Sequence, residues 1–215
     1  MVTLRVASER ACDEEMTPRV VRLPESDASV ARTIRSGDPA GAVQLFDRYY
    51  GHVRRVLLHV LGPDAELTDL VQEVFISAMS SINRLREPAA LKSWIGAIAV
   101  HTARRRLRDR KRSRLFLLFP SDALPEKVDT RVAEPEVGEA ARAVYRVLDA
   151  LSTEDRLVFA LRFIDSREIA EIAAVCESSA STVKRRLARA TQRFTRLARR
   201  EESLAEYLER APWNP

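Results

Sequence analysis

Arginine is the residue type in this sequence whose number and spacing most clearly imply chemistry. Residues 104–114 read RRRLRDRKRSR, with eight basic residues and one acid, and residues 184–200 read KRRLARATQRFTRLARR, with eight basic residues and no acid. Like charges this close together repel one another, so such segments favour a nearby anion, and phosphate is the usual one. The chain carries a formal net charge of +5. We therefore expect a polyanionic partner, either nucleic acid or an anionic membrane surface.

Residues that hold metals or act as nucleophiles are sparse. Cys12 and Cys176 lie far apart, and His52, His59 and His101 have no cysteine or carboxylate companions at ligand spacing. This argues against a disulfide framework and against a metal site. A nuclease or another nucleic-acid enzyme needs metal-binding carboxylates or a positioned nucleophile, and the acids here are scattered over amphipathic segments without a glycine-rich phosphate loop. We expect no cofactor, no metal and no catalytic residue.

The sequence also bears on location. Its apolar runs fall well short of the roughly 20 residues that a membrane span needs. Its amino terminus mixes acids, arginines and a proline where a signal peptide has an apolar stretch. We expect a cytoplasmic protein without membrane insertion.

Helical periodicity predicts an all-α protein, and a length of 215 residues favours two small domains. Residues 1–26 lack a period and are interpreted as a poorly ordered leader. The first module, residues 27–112, contains a helix that begins at the Asp-Pro pair of 38–39 and ends at the Gly-Pro pair of 62–63. The helix over 67–79 follows, and a third helix runs into the first arginine segment.

A change of composition separates this module from a second one. Residues 113–137 contain three prolines and many acids, which is typical of a flexible linker. Within it, the LFLLF segment of 115–119 is too apolar for a free tether, so we expect it to be covered. Helical periodicity returns over 138–200, and residues 201–215 form a tail.

Residues 167–194 have the pattern of a helix-turn-helix. A short helix ends near Cys176, two serines form a cap, and a basic helix follows with Val183 and Leu187 inward. Glu177 stands at the turn position where a left-handed glycine is common, at a cost of about 1 kcal/mol. The outward set expected to face DNA comprises Ser181, Thr182, Lys184, Arg185 and Arg189. The alternative is a basic amphipathic helix that packs on one side and is solvated on the other.

Most of the chain resembles one protein family, the extracytoplasmic-function (ECF) subfamily of sigma-70 RNA polymerase sigma factors. The amino-terminal module of that family is similar to two segments here, DPAGAVQLFDRYYGHVRRVLLHVLG and LTDLVQEVFISAMSSINRLREPAALKSWIGAIAVHTARRRLRDRKR. The carboxy-terminal module is similar to LSTEDRLVFALRFIDSREIAEIAAVCESSASTVKRRLARA. DLVQEVF, the W-I-x-x-I-A stretch and TVKRRLARA occur in the family's order and spacing. Two departures are His101, where the family usually has asparagine, and Glu177, where it has glycine.

The resemblance implies a factor that binds core RNA polymerase and directs transcription at specific promoters, with an anti-sigma factor as a further partner. It implies that Asp69, Gln72 and Glu73 meet the polymerase. The turn from Asn83 to Glu87 would hold a base flipped from the minus-10 element, and the helix from Trp94 through Arg106 would lie along the melting duplex. The implied minus-10 set is Asn83, Arg84, Arg86, Trp94, His101, Arg104 and Arg105. The face from 181 to 189 would enter the major groove at the minus-35 element.

Other readings remain open on the residues alone. Trp94 fits a buried stripe as well as a plane against a base, and the polar face of DLVQEVF reads as plain solvated surface. A stand-alone repressor would need only the second module. It would leave that polar face and the first arginine segment unexplained.

Overall fold

The computed structural model describes residues 26–118, 138–204 and 208, and within these ranges the chain forms helices and turns without a strand. The all-α prediction is confirmed. The expected leader, apart from Ser26, lies outside the described residues, as do Cys12 and most of the expected linker and tail.

The first module is built from four helices. They are α1 (Asp27–Arg35), α2 (Pro39–Leu61), α3 (Leu67–Ser81) and α4 (Leu91–Leu118), with single helical turns at Ile82–Arg84 and Pro88–Ala90. The predicted start of α2 is confirmed, because the Asp38 carboxylate accepts a hydrogen bond from the Ala40 amide at 2.9 Å. The helix ends as predicted at Gly62, which has a φ of 71°.

The core of this module lies between α2, α3 and α4. Leu45, Val53 and Leu57 of α2 are buried there together with Val74 and Ile95. Phe46 departs from the predicted inward face of α2 and is 41% exposed. It lies at the edge of the core, with its ring centroid 4.9 Å from that of Phe75 and 5.1 Å from that of Tyr50.

The second module follows the predicted pattern of caps and breaks. Its helices are α5 (Glu139–Asp149), α6 (Thr153–Phe159), α7 (Ile169–Val175) and α8 (Ala180–Ala198), with a π-helical turn at Ala160–Ile164 and a last turn at Glu202–Leu204. Ser152 caps α6 by accepting from the Asp155 amide at 3.1 Å. Phe159 stacks on Phe194 at 4.5 Å and joins α6 to α8.

Helix α4 is longer than the sequence suggested. It continues to Leu118, past residue 113 where the linker was expected to begin. Residues 113–118 contain no helix breaker, and the next one is Pro120, which disfavours helical geometry in the residue before it. The apolar segment 115–119 therefore begins as helix, while Phe119 and the further linker lie outside the described residues.

The two modules pack against each other, which the sequence did not predict. Buried apolar residues of both modules form one continuous cluster. Arg156 of α6, only 1% exposed, donates to the Val60 carbonyl at 2.9 Å and the Leu61 carbonyl at 2.7 Å, so it caps the end of α2. The Tyr145 hydroxyl donates to the Leu58 carbonyl at 3.1 Å. The second module thus completes the carboxyl end of a helix in the first.

Candidate nucleic-acid interface

Helices α7 and α8 are joined by the tight turn that a helix-turn-helix requires. Glu177 adopts the left-handed conformation with a φ of 50°, as its position predicted. Ser179 then caps α8 by accepting from the Thr182 amide at 3.2 Å. The Thr182 hydroxyl lies 2.9 Å from the Ser179 hydroxyl, so Thr182 belongs in part to the cap. Ser181 is exposed beside it at the amino end of α8.

The apolar face of α8 is the predicted one, since Val183, Ala190 and Phe194 are fully buried. Lys184 and Arg185 are exposed on the opposite side. A recognition helix needs this division, in which short polar and basic side chains near its amino end are free to reach base edges.

Arg189 is exposed as predicted but it is not free. Its guanidinium forms a two-pronged contact with Asp155 of α6, Nη2 to Oδ1 at 2.6 Å and Nε to Oδ2 at 3.0 Å. Asp155 is itself buried, and its hydrogen bonds raise the pKa of Arg189 further. The sequence analysis missed this pair because it assigned Asp155 only to the cap of α6. The backbone amide of Asp155 does belong to that cap, whereas its carboxylate binds an arginine of α8.

The predicted minus-10 residues lie in two places, on the turn between α3 and α4 and along α4, including its amino-terminal part. Asn83, Arg84 and Arg86 are exposed on the turn between α3 and α4. Arg35 of α1 holds this turn by donating to the carbonyl of Leu85. Trp94 is half-buried and packs against the core, which agrees with the core interpretation, while its role against a base stays a prediction.

The basic minus-10 residues on α4 are all paired; Arg104 is largely covered, whereas His101 and Arg105 remain exposed. His101 Nε2 is 3.3 Å from a Glu177 carboxylate oxygen, and Arg104 donates to the Cys176 carbonyl at 3.4 Å. Both contacts reach the helix-turn-helix of the other module. Arg105 pairs instead with Glu73 of α3, which links the predicted DNA face with the predicted polymerase face. Neither link was evident from the sequence.

Two arginines of the first arginine segment form ion pairs with a buried aspartate. The side chain of Asp64 is fully buried and is paired with Arg106, at 3.2 Å, and with Arg110. Burial alone would raise the pKa of Asp64, but the hydrogen bond from Arg106 and the charge of Arg110 outweigh it and hold that pKa below its usual value. These two arginines neutralise an internal charge, so they are not available to phosphate as the composition suggested.

The predicted polymerase face on α3 is open to solvent. Asp69 and Gln72 are exposed, and Ile76, one turn further along the same stripe, is 62% exposed. Val43 and Tyr50 of α2 are also exposed large apolar residues. The polar stripe of α3 therefore ends in an exposed apolar residue, which the sequence analysis did not single out.

Little in the described residues points to metal or redox chemistry. No group of three or more histidine, cysteine or acidic residues there is placed to hold a metal ion. Cys176 is buried as predicted, and burial raises the pKa of its thiol. Among the described helices, none has both the length and the apolar character that crossing a bilayer requires.

Comparison with known proteins places both modules in one family. Sigma-70 region 2 matches residues 45–113, and sigma-70 region 4 matches residues 141–194. RNA polymerase sigma factor SigV of Bacillus subtilis is 32% identical over 122 residues, 57% of this chain and 69% of that protein. The ECF RNA polymerase sigma factor SigX of the same organism is 29% identical over 144 residues, 65% of this chain and 74% of that protein. The ECF RNA polymerase sigma-E factor of Escherichia coli is 27% identical over 180 residues, 78% of this chain and 91% of that protein.

Two solved structures share the fold. CnrH, in complex with the cytosolic domain of CnrY, has a TM-score of 0.57 and 23% identity, and the match covers 83% of this chain and 100% of that one. RpoE of Bartonella quintana, in complex with the anti-sigma factor NepR, has a TM-score of 0.53 and 21% identity, covering 74% and 97%. The chain therefore belongs to the ECF subfamily of sigma-70 RNA polymerase sigma factors, a family of transcription regulators rather than enzymes.

Proposed function

We propose that this sigma factor divides its work between the two modules. The first anchors core RNA polymerase through the outer face of α3 and holds the minus-10 element at the turn of Asn83, Arg84 and Arg86. The second places the amino end of α8 in the major groove of the minus-35 element. The protein performs no chemical step of its own and acts in the cytoplasm with the polymerase. It is controlled by an anti-sigma factor, in the way that RpoE of Bartonella quintana forms a complex with the anti-sigma factor NepR.

The observation that carries this proposal is the exposed amino end of α8. Ser181, Lys184 and Arg185 are exposed there, while the opposite side of the helix is fixed in a core. Glu177 ends α7 in the left-handed conformation, as the tight turn of a helix-turn-helix does. This turn supports the assignment of α8 as the recognition helix.

The polymerase contact is proposed for Asp69 and Gln72, with Ile76 extending it. A stripe that is polar at one end and apolar at the other is typical of an interface, in which apolar contacts supply binding energy and charges set the register. Glu73 is less available to the polymerase, because its carboxylate already pairs with Arg105.

The test is transcription in vitro with purified core polymerase on a library of randomised promoters, with the transcripts counted by sequencing. The wild-type chain should enrich a particular pair of elements. Asp69→Lys should weaken polymerase binding and lower transcript yield without changing the enriched sequence. Glu139→Lys, the same charge reversal on the second module, should leave both unchanged. A wild-type chain that binds promoters but never yields transcripts would favour the repressor reading instead.

A further inference from the structure

A single carboxylate collects arginines from both of the proposed DNA-binding helices. Glu154 stands in the first turn of α6. One of its oxygens lies 3.0 Å from Arg108 Nη2 and 3.5 Å from Arg104 Nε, both on α4. Its other oxygen lies 3.4 Å from Arg186 Nη1 on α8. Three cations around one anion reproduce the setting of a DNA phosphate between basic side chains.

The contacts of α4 with the second module follow one stripe of that helix. His101, Arg104, Arg108 and Lys111 are spaced by three and four residues, so they share a face. His101 meets Glu177, and Lys111 donates to the Leu151 carbonyl, while the two arginines between them meet Glu154. The whole stripe is thereby directed at the second module.

This stripe overlaps the residues that would contact the melting duplex. Arg104 is only 12% exposed, and Glu154 is 26% exposed. Arg104 cannot reach a DNA phosphate while α6 and the turn before α8 cover it, whereas His101 and Arg108 remain partly exposed. The closed arrangement of the modules and the promoter contact are therefore mutually exclusive at Arg104.

We propose that Glu154 acts as a phosphate mimic, an internal latch that keeps the free sigma factor closed and is displaced when DNA takes its arginines. The proposal rests on the function proposed above, since it needs α4 to bind DNA. The latch is suited to release because it is partly exposed. Such ion pairs are weakened by salt and compete poorly with a polyanion that offers several phosphates at once.

The decisive variant is Glu154→Gln, which keeps the shape of the side chain and removes its charge. Glu139→Gln is the matched control, because Glu139 is an acid of the same module that pairs with Arg142 and Arg146 and not with α4. Dyes on the exposed positions 80 and 192, in a chain without its native cysteines, report the distance between the modules in free protein. Binding of the free protein to duplex DNA is measured across a salt series.

We expect the dye distance to increase in Glu154→Gln and to stay at the wild-type value in Glu139→Gln. Glu154→Gln should bind duplex DNA about fivefold more tightly or better. The slope of log affinity against log salt should steepen by about 2, because Arg104 and Arg108 become available to phosphates. Equal distances and equal DNA binding in the two variants would overturn the latch.

Folding and the underlying function are checked separately. If Glu154→Gln lost helical circular dichroism, Arg108→Gln would be tested by the dye distance alone, since it removes one arm of the latch and leaves α6 intact. An unchanged distance in that variant would also overturn the proposal. Wild-type protein that transcribes with core polymerase while Glu154→Gln stays closed would refute the latch and leave the sigma function standing.

Discussion

Two basic side chains on α8, Arg185 and Arg189, face solvent one turn apart, but they differ in freedom. Asp155 holds the guanidinium of Arg189 through two of its nitrogens, which leaves that side chain in one orientation. Arg185 lies nearer the amino end of the helix and is exposed. An arginine that recognises guanine must present two donors to the edge of the base. An arginine with two nitrogens already bound to a carboxylate is better suited to contact a phosphate.

We therefore expect Arg185→Ala to lower discrimination at particular minus-35 base pairs, by about 1 to 3 kcal/mol if Arg185 pairs with guanine. Arg196→Ala, further along α8, should reduce affinity equally on all sequences or leave it unchanged. Arg189→Ala should resemble Arg196→Ala rather than Arg185→Ala. Binding of holoenzyme to a set of single-base promoter mutants measures all three. A change of base preference in Arg196→Ala, with none in Arg185→Ala, would mean that α8 is oriented differently.

At the scale of elements, the end of α2 is the most constrained helix terminus in the described chain. Gly62 has a positive φ of 71°, and a Cβ added there would lie 2.7 Å from the Tyr145 ring. Gly37, which ends α1, also has a positive φ, of 78°, but a Cβ added there would meet nothing within 4 Å. An alanine at either position has the cost of the strained backbone, and only an alanine at Gly62 also overlaps a neighbouring side chain. Comparing the two variants therefore separates these two costs.

Gly37→Ala should lower the free energy of unfolding by about 1 kcal/mol, which is the backbone penalty alone. Gly62→Ala should lower it further, because the methyl group must also push the Tyr145 ring out of its place on α2. Urea unfolding monitored by circular dichroism compares the two. Equal losses in the two variants would show that Tyr145 does not rest on Gly62 in solution.

Most helix boundaries were predictable because they depend on local chemistry, although the end of α4 at Leu118 was not. The Asp38-Pro39 start, the Gly62 stop, the Ser152 cap and the left-handed Glu177 all follow from neighbouring residues. Side-chain partners across the modules were not predictable. Arg156 looks like a solvated base on an amphipathic helix, yet it is buried against carbonyl oxygens some 95 residues earlier in the chain. Phe46 was wrongly predicted to be buried, because helical spacing shows which face of α2 is apolar but not where along the helix that face extends beyond the core.

At the scale of the whole molecule, Arg156 is the largest of the fully buried side chains among the described residues, and it joins the two modules. It caps α2 through the carbonyls of Val60 and Leu61 and pairs with Asp149. Burial lowers the pKa of Arg156, so its charge is tolerated only because these acceptors surround it.

Arg156→Ala should lower the free energy of unfolding by about 3 kcal/mol, because it leaves two buried carbonyl oxygens without their donor, while Asp149 keeps its pairing with Arg114. Arg156→Met is the informative companion. Methionine keeps much of the packing of the Arg156 side chain, so Arg156→Met should be more stable than Arg156→Ala. Because methionine cannot donate to the carbonyls of α2, the dyes on positions 80 and 192 should still report open modules. Closed modules in Arg156→Met would show that packing alone holds the contact.

Acid should open the molecule, because the aspartates that bridge the modules have lowered pKa values. Asp165 accepts from His59 of α2 at 2.9 Å and from Arg167 at 2.6 Å, and Asp149 accepts from Arg114 of α4 at 2.7 Å. Burial alone would raise both pKa values, but hydrogen bonds and cationic charge hold them below normal. A carboxyl whose pKa is lower in the folded protein stabilises it above the unfolded value, near 4, and that stabilisation is lost as pH falls through the folded value.

We therefore expect the dye distance between the modules to stay constant from about pH 8 to pH 5 and to increase below about pH 4. Asp165→Asn removes one of the two titrating bridges, so it should weaken the contact at neutral pH and flatten the change in acid. Asp69→Asn is the control, since Asp69 is exposed on the proposed polymerase face and is not one of the bridging aspartates. An opening centred between pH 6 and 7 would contradict this assignment, because carboxyl groups with lowered pKa values stay ionised in that range.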